Sequence, residues 1–92
     1  GDDAELAAYY VIAEAITNAI KHAQAARIAV RGEKSGGWLR VTVRDNGKGG
    51  ASADAGTGLR GILDRIGGIG GEAELHSPPG QGTEIRVRIP CG

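Results

Sequence analysis

Four short segments of this chain alternate apolar and charged residues with a period of two: RIAVRG, WLRVTVRD, EAELHS and TEIRVRIP. Ile28 and Val30, Leu39, Val41 and Val43, and Ile85, Val87 and Ile89 fall on one face. Arg27, Arg31, Arg40, Thr42, Arg44, Glu84, Arg86 and Arg88 fall on the other. A strand with one apolar and one charged face can be buried on one side only, so the four segments predict a single sheet, wet on one side and covered on the other. The first two read as a hairpin across EKSGG and the last two are separated by the turn PPGQG.

Two stretches carry a helical period and supply the cover. Asp2 and Asp3 are placed to cap the first, Glu5 to complete a capping box, and neither Gly nor Pro occurs from there to about Ala23. Leu6, Tyr9, Ile12, Ala13, Ile16, Ile20 and Ala23 share one side of it and are expected to face the core. Leu59, Ile62, Leu63, Ile66 and Ile69 mark the second, which the glycines at 67, 68, 70 and 71 should end. From Asp45 to Thr57 no period is present, and that composition reads as a loop. The order is α β β α β β, and the expected fold is a two-layer α/β sandwich with both helices on one face of the sheet.

Ninety-two residues make one domain. The 11 basic and 11 acidic residues cancel, with no run of one sign at either end, which argues against a nucleic-acid or anionic-membrane partner. Cys91 alone allows neither an internal disulfide nor a cysteine zinc site and suits a reducing compartment. No segment is long and apolar enough to insert into a bilayer.

Three groups of residues carry chemistry. On the first helix Glu14, Asn18, Lys21 and His22 gather within about 100° of arc opposite the expected core stripe, given a turn of 3.6 residues. A solvated polar face is the plain alternative. DNGKGG puts Asp45 at the end of a strand with Gly47, Gly49 and Gly50 behind it; an Asn-Gly hairpin turn would be the plain reading, except that no strand follows. GTGLRG, Gly56 to Gly61, matches the dinucleotide fingerprint G-x-G-x-x-G letter for letter, but a long loop rather than a strand leads into it, which excludes that fold.

Together these pieces resemble the ATP-binding catalytic domain of sensor histidine kinases, in the superfamily that also holds gyrase and MutL and shares the Bergerat ATP fold with its mixed sheet. EAITNAIKHA (Glu14 to Ala23) is similar to the N box, DNGKG (Asp45 to Gly49) to the first glycine box, GTGLRG to the second and GQGTEIRVRIP (Gly80 to Pro90) to the closing Gly-Thr strand. NAIKHA with GLRGILDRI most resembles the nitrate-sensor and DesK-like branch. Serine-kinase anti-sigma factors share a similar N box.

The resemblance implies ATP and Mg²⁺ as ligands. Asp45 matches the acceptor for the adenine amine, Thr83 a hydroxyl that helps hold the base, and Gly47 and Gly49 the close backbone approach to it. Asn18 matches the metal ligand, and Lys21 and His22 lie where cations offset phosphate charge, with a surface ion pair the alternative for Lys21. Gly56, Thr57, Gly58, Leu59, Arg60 and Gly61 form the phosphate-wrapping turn and helix start; Arg60 either reaches a phosphate or caps solvent. Gly50 to Ala55 correspond to a short lid, expected to be mobile without nucleotide. Glu14 matches a base, here toward an acceptor imidazole.

The implied activity is transfer of the γ-phosphoryl group to a histidine on a separate dimerisation domain, with a response regulator downstream, the chain being a cytoplasmic catalytic domain excised from a longer kinase. The alternatives are a nucleotide-holding module without transfer, and an anti-sigma serine kinase. His76 reads as structural.

Overall fold

A computed structural model describes residues 2–21, 24–50 and 59–91. Along the chain lie α1 (Asp2–Lys21), β1 (Ile28–Ser35), β2 (Trp38–Asp45), α2 (Leu59–Gly68), β3 (Glu72–His76) and β4 (Thr83–Pro90). The four strands form one sheet in the order β1-β2-β4-β3, and every pairing among them is antiparallel, so the expected mixed sheet is antiparallel within the described residues. Asp2 and Asp3, expected to cap α1, are its first residues. The first hairpin is tighter than EKSGG suggests: β1 runs through Ser35, and Gly36 and Gly37, with φ of 59° and 81°, make the turn alone. Positive φ at both central residues suits the twist of the flanking strands, and glycine supplies it without strain.

The period-two pattern sorts the faces as expected. Val41 and Val43 on β2, and Ile85, Val87 and Ile89 on β4, are buried against the helices. From the other layer come Val11 of α1 and Leu59, Ile62 and Ile66 of α2. The central strands β2 and β4 thus carry most of the sheet's share of the core, while β1 is exposed along nearly its whole length.

The core stripe expected on α1 is overturned. Ala4, Ala7, Ala8, Val11, Ala15 and Ala19 face inward, and the larger Leu6, Tyr9 and Ile20 are 71%, 75% and 64% exposed. Ala13 is exposed and Ile12 and Ile16 are half-buried at the margin. Alanine on the packed face lets a helix lie close to a sheet whose own side chains are Val and Ile, and larger residues there would hold it off. The side opposite the large apolar residues, where Glu14 and Asn18 lie, is therefore turned inward rather than out to solvent.

Past the end of α1 the Ala25 N–H donates to the Ala19 carbonyl at 3.0 Å, and Gln24 has φ 54°, a left-handed conformation that after a helix is usually given to glycine.

On the outer face Glu84 links two arginines. Its Oε1 accepts from Arg86 Nε at 2.6 Å and its Oε2 from Arg44 Nη2 at 3.1 Å. The bond from Arg86, ahead of the bond from Arg44, holds the Glu84 carboxyl below its ordinary value, against the opposing effect of its burial. Arg88 lies over the Trp38 ring, 4.3 Å from its centroid, and its Nη2 is 3.5 Å from Glu72 Oε1.

Two stability outcomes are expected. Gln24→Gly relieves the left-handed strain and should stabilise the fold by about 0.5–1 kcal/mol, read as a higher Tm; a lower Tm would contradict strain at that residue. Glu84→Gln should lower Tm at pH 7. Because the folded carboxyl has the lower pKa, its contribution is present above the unfolded value of 4.5 and lost as pH falls through the folded one, so the gap between variant and parent should close in acid. A gap independent of pH would assign the effect to shape rather than charge.

Candidate functional site

Side chains two apart on a strand share a face, so Asp45 continues the inward row of Val41 and Val43 to the end of β2. Thr83 begins the inward row of β4, and Asp45 and Thr83 are direct register partners. A carboxylate and a hydroxyl thus sit side by side where the apolar core gives out. Thr83 is 8% exposed, the one buried polar residue among those described, and its Oγ1 is 2.7 Å from Ser77 Oγ. Ser77, just past the end of β3, was not singled out in the sequence; its place opposite the Gly-Thr pair was the available signal.

Asp45 Oδ1 accepts the Gly47 N–H at 2.8 Å, which turns the chain sharply after β2 and leaves Oδ2 without an assigned partner. The next residue secures the turn to another element. Asn46 Oδ1 accepts the N–H groups of Ala26 and Arg27 at 2.9 and 2.8 Å, and the Asn46 N–H donates to the Arg27 carbonyl at 3.2 Å. Residues 26 and 27 connect α1 to β1, so Asn46 ties the exit of β2 to the C-terminal end of α1. Asn46 too was missed as more than a turn residue.

Gly49 has a structural reason besides the close approach expected of it. At φ 67°, a Cβ there would collide with the Pro78 carbonyl oxygen and lie 2.9 Å from that of Gly82. The loop after β2 is packed backbone to backbone on the β3–β4 turn, and the Gly50 N–H donates to the Ser77 carbonyl at 2.8 Å.

On α1, Tyr10, Glu14 and Asn18 form one row spaced by four. Tyr10 heads the row against α2: a Cβ on Gly61 would lie 2.7 Å from its hydroxyl, and the Arg65 guanidinium lies 4.1 Å from its ring centroid. Gly61 therefore has a packing role at the crossing of the helices. Farther along the row Glu14 is half-buried, and both Oδ1 and Nδ2 of Asn18 are buried with no hydrogen-bond partner. Leaving a buried amide unsatisfied costs about 1–3 kcal/mol, which a ligand at this position would recover. Lys21 is exposed at the end of α1, Leu59 is buried at the start of α2, and Arg60 beside it is exposed.

His22, the turn residues Gly56, Thr57 and Gly58, and the expected lid beyond Gly50 lie outside the described residues. An open cleft of about 390 Å³ passes the end of the sheet, lined by Asp45, Asn46 and Thr83 with Arg44, His76, Pro78, Gln81 and Glu84. Arg44, His76 and Glu84 belong to the outer face, so this cleft opens away from α1. The inward row of Asp45 and Thr83 makes the helix side the better seat for a ligand. What the described residues bring to one end of the molecule is a half-engaged carboxylate, a hydroxyl pair and an unsatisfied amide on the helix that Asn46 ties to that end.

The family described as histidine kinase-, DNA gyrase B- and HSP90-like ATPase matches residues 3–92. Sensor histidine kinase YdfH of Bacillus subtilis is 39% identical over 88 residues, 89% of this chain and 22% of that protein. Sensor histidine kinase LiaS of the same organism is 34% identical over 85 residues, 89% of this chain and 24% of that one. The chain thus spans about a quarter or less of these relatives. The histidine kinase domain of the Erythrobacter litoralis EL346 blue-light activated histidine kinase superposes with a TM-score of 0.73 at 30% identity, over 88% of this chain and 42% of that one. The ATP-binding domain of PrrB from Mycobacterium tuberculosis gives 0.70 at 25% identity, over 99% and 68%. With the fold, the row on α1 and the carboxylate after β2 in place, this chain belongs to the histidine kinase-, DNA gyrase B- and HSP90-like ATPase family, in the company of the sensor histidine kinases.

Proposed function

We propose that the chain is the ATP-binding catalytic domain of a longer two-component sensor kinase, and that it donates the γ-phosphoryl group of ATP to a histidine on a separate dimerisation domain, which then supplies a response regulator. The observation that carries this reading is the buried, partnerless Asn18 amide on the helix whose end Asn46 ties to the half-engaged Asp45 carboxylate. Asp45 Oδ2 accepts the exocyclic amine of adenine, and the Thr83–Ser77 hydroxyl pair holds the adjoining edge of the base, directly or through water. Gly47 turns the chain so that the carboxylate is aimed.

The donor set also fits Mg²⁺, a hard cation that takes oxygen ligands and usually only one or two from protein, with the phosphates and water completing the set. Asn18 Oδ1 is the protein ligand in this reading, and an amide adds no negative charge beside a triphosphate. Mg²⁺ bound there would neutralise phosphate charge as the terminal group leaves. Lys21 adds positive charge at the end of α1, the start of α2 offers N–H groups to the phosphates, and His22 with Gly56, Thr57 and Gly58 is assigned to the same phosphates by sequence.

Phosphoryl transfer asks mainly for placement and charge stabilisation. An imidazole nitrogen of the acceptor forms the new bond to the γ-phosphorus while the bond to the bridging oxygen of ADP breaks. Glu14, half-buried and one turn before Asn18, takes the imidazole proton. By its likeness to the sensor histidine kinases the domain belongs at the cytoplasmic end of the parent kinase; among the described residues no helix is long and apolar enough to cross a membrane.

The direct test is incubation with γ-labelled ATP and an acceptor domain supplied in trans. Acid-labile, alkali-stable phosphohistidine is expected; ATP binding without transfer would leave a nucleotide-holding module, and transfer to a serine of a small partner the anti-sigma alternative. A hydrogen bond to a charged group contributes about 1.5–3 kcal/mol, so Asp45→Ala should weaken ATP binding roughly ten- to a hundredfold by titration calorimetry, and unchanged affinity would remove the adenine assignment. In Asn18→Ala the gain in ATP affinity on adding Mg²⁺ should shrink while Mg²⁺-free binding persists. An undiminished gain would move the metal elsewhere.

A further inference from the structure

Asp45 and Asn46 are neighbours in the chain, yet each is bound to a different part of the fold. Asp45 belongs to the inward row of β2, and its Oδ1 accepts the Gly47 N–H at 2.8 Å. Asn46 reaches instead to the segment between α1 and β1. Its Oδ1 accepts the N–H groups of Ala26 and Arg27 at 2.9 and 2.8 Å, and its own N–H donates to the Arg27 carbonyl at 3.2 Å. Ile28 and Asp45 form the last register pair of β1 and β2, so Asn46 adds a tie one step beyond the ladder.

The tie continues into the helix. The Ala25 N–H donates to the Ala19 carbonyl at 3.0 Å, and Ala19 is wholly buried, one residue after Asn18. A short run of bonded segments therefore joins the residue beside Asp45 to the residue beside Asn18. Those are the groups left with capacity to spare: the Asn18 amide is buried without a partner, and Asp45 is engaged through one oxygen. Asn46 itself is exposed. Its side chain fills no gap in the core, so its contribution lies in the bonds it makes. A ligand that spans Asp45 and Asn18 gains from both at once only where their separation is held; a loose separation would have to be frozen on binding, which consumes part of the gain.

We propose that Asn46 is a positioning residue of the nucleotide site. Through residues 25–27 it fixes the last turn of α1 against the exit of β2, so that holding the base at Asp45 and holding the metal-bound phosphates at Asn18 reinforce each other. This rests on the ATP reading of those two residues and adds the coupling between them. Asn46 touches no ligand. A carboxylate oxygen in its place accepts the same two N–H groups, whereas a methyl group accepts neither.

Titration calorimetry of ATP, with Mg²⁺ and with a chelator, on the chain and its variants reads the coupling. In Asn46→Ala the gain in ATP affinity on adding Mg²⁺ should fall roughly five- to twentyfold, the scale of a coupling between sites, whereas Mg²⁺-free binding should change by less than about threefold because Asp45 keeps its Gly47 bond. Asn46→Asp should restore the gain. Adding Asn46→Ala to Asn18→Ala should remove little more of the gain than Asn18→Ala alone, since both act on one contact, and each variant should keep the parent's circular dichroism spectrum. An equal loss with and without Mg²⁺ would make Asn46 purely structural and overturn the proposal, as would a folded Asn46→Asp that restores nothing, or losses that multiply in the double variant. A parent chain that binds no ATP, or gains nothing from Mg²⁺, would overturn the ATP reading and this inference with it. A parent with the full gain, beside an Asn46→Ala variant that keeps it, would overturn this inference alone.

Discussion

The register between β2 and β4 is the constraint on which the rest depends. Leu39, Val41, Val43 and Asp45 stand opposite Ile89, Val87, Ile85 and Thr83, so one uninterrupted double row carries the sheet's share of the core and then, at its last pair, becomes polar. A shift of one residue would send the whole row to the wet face, core and polar end alike. Burial of the aliphatic pairs therefore fixes the face to which Asp45 and Thr83 belong, and the Gly47 N–H and the Ser77 hydroxyl then hold their polar atoms. The loop after β2 and the β3–β4 turn then close over that end through backbone contacts that leave no room for a Cβ at Gly49, and Gly82 is likewise seated against the Asp45 carbonyl.

The second dependence is the choice of small residues on α1. Its inward face is Ala4, Ala7, Ala8, Val11, Ala15 and Ala19, which sets the helix close to the sheet and carries the adjoining row of Glu14 and Asn18 inward with it. An amide in that row loses water without gaining a partner. Such a group lowers stability unless it is used, and a protein retains one where a ligand is the partner. In the proposed reading, close packing of alanine is what removes water from the metal ligand.

The strands were legible because their signal is categorical: a residue in an alternating run is on one face or the other, and Arg40, Arg44 and Arg86 could not be inside. The order of elements and the side on which the helices lie follow from that. The orientation of α1 was not legible from periodicity, since both of its long sides are apolar by composition, one of Ala and Val, the other of Leu, Tyr and Ile. Weighting by residue size chose the side with the larger side chains, whereas a helix lying on a Val and Ile sheet is fitted by the smaller. Asp45, Thr83 and Asn18 were singled out by motif. Asn46 and Ser77 were not, because each acts by bonding to a segment far away in sequence, Asn46 to residues 26 and 27 and Ser77 to Thr83 across the turn.

The central claim is that the polar end of the β2–β4 row recognises adenine while Asn18 meets the metal-bound phosphates. A crystal structure with a non-hydrolysable ATP analogue and Mg²⁺ tests it most directly. The account predicts the adenine amine within hydrogen-bonding distance of the Asp45 carboxylate, the Thr83 hydroxyl at the edge of the base, and the Asn18 amide oxygen on the ion. A base seated in the outer cleft beside Arg44 and Glu84, or an Asn18 amide still without a partner at full occupancy, would contradict it.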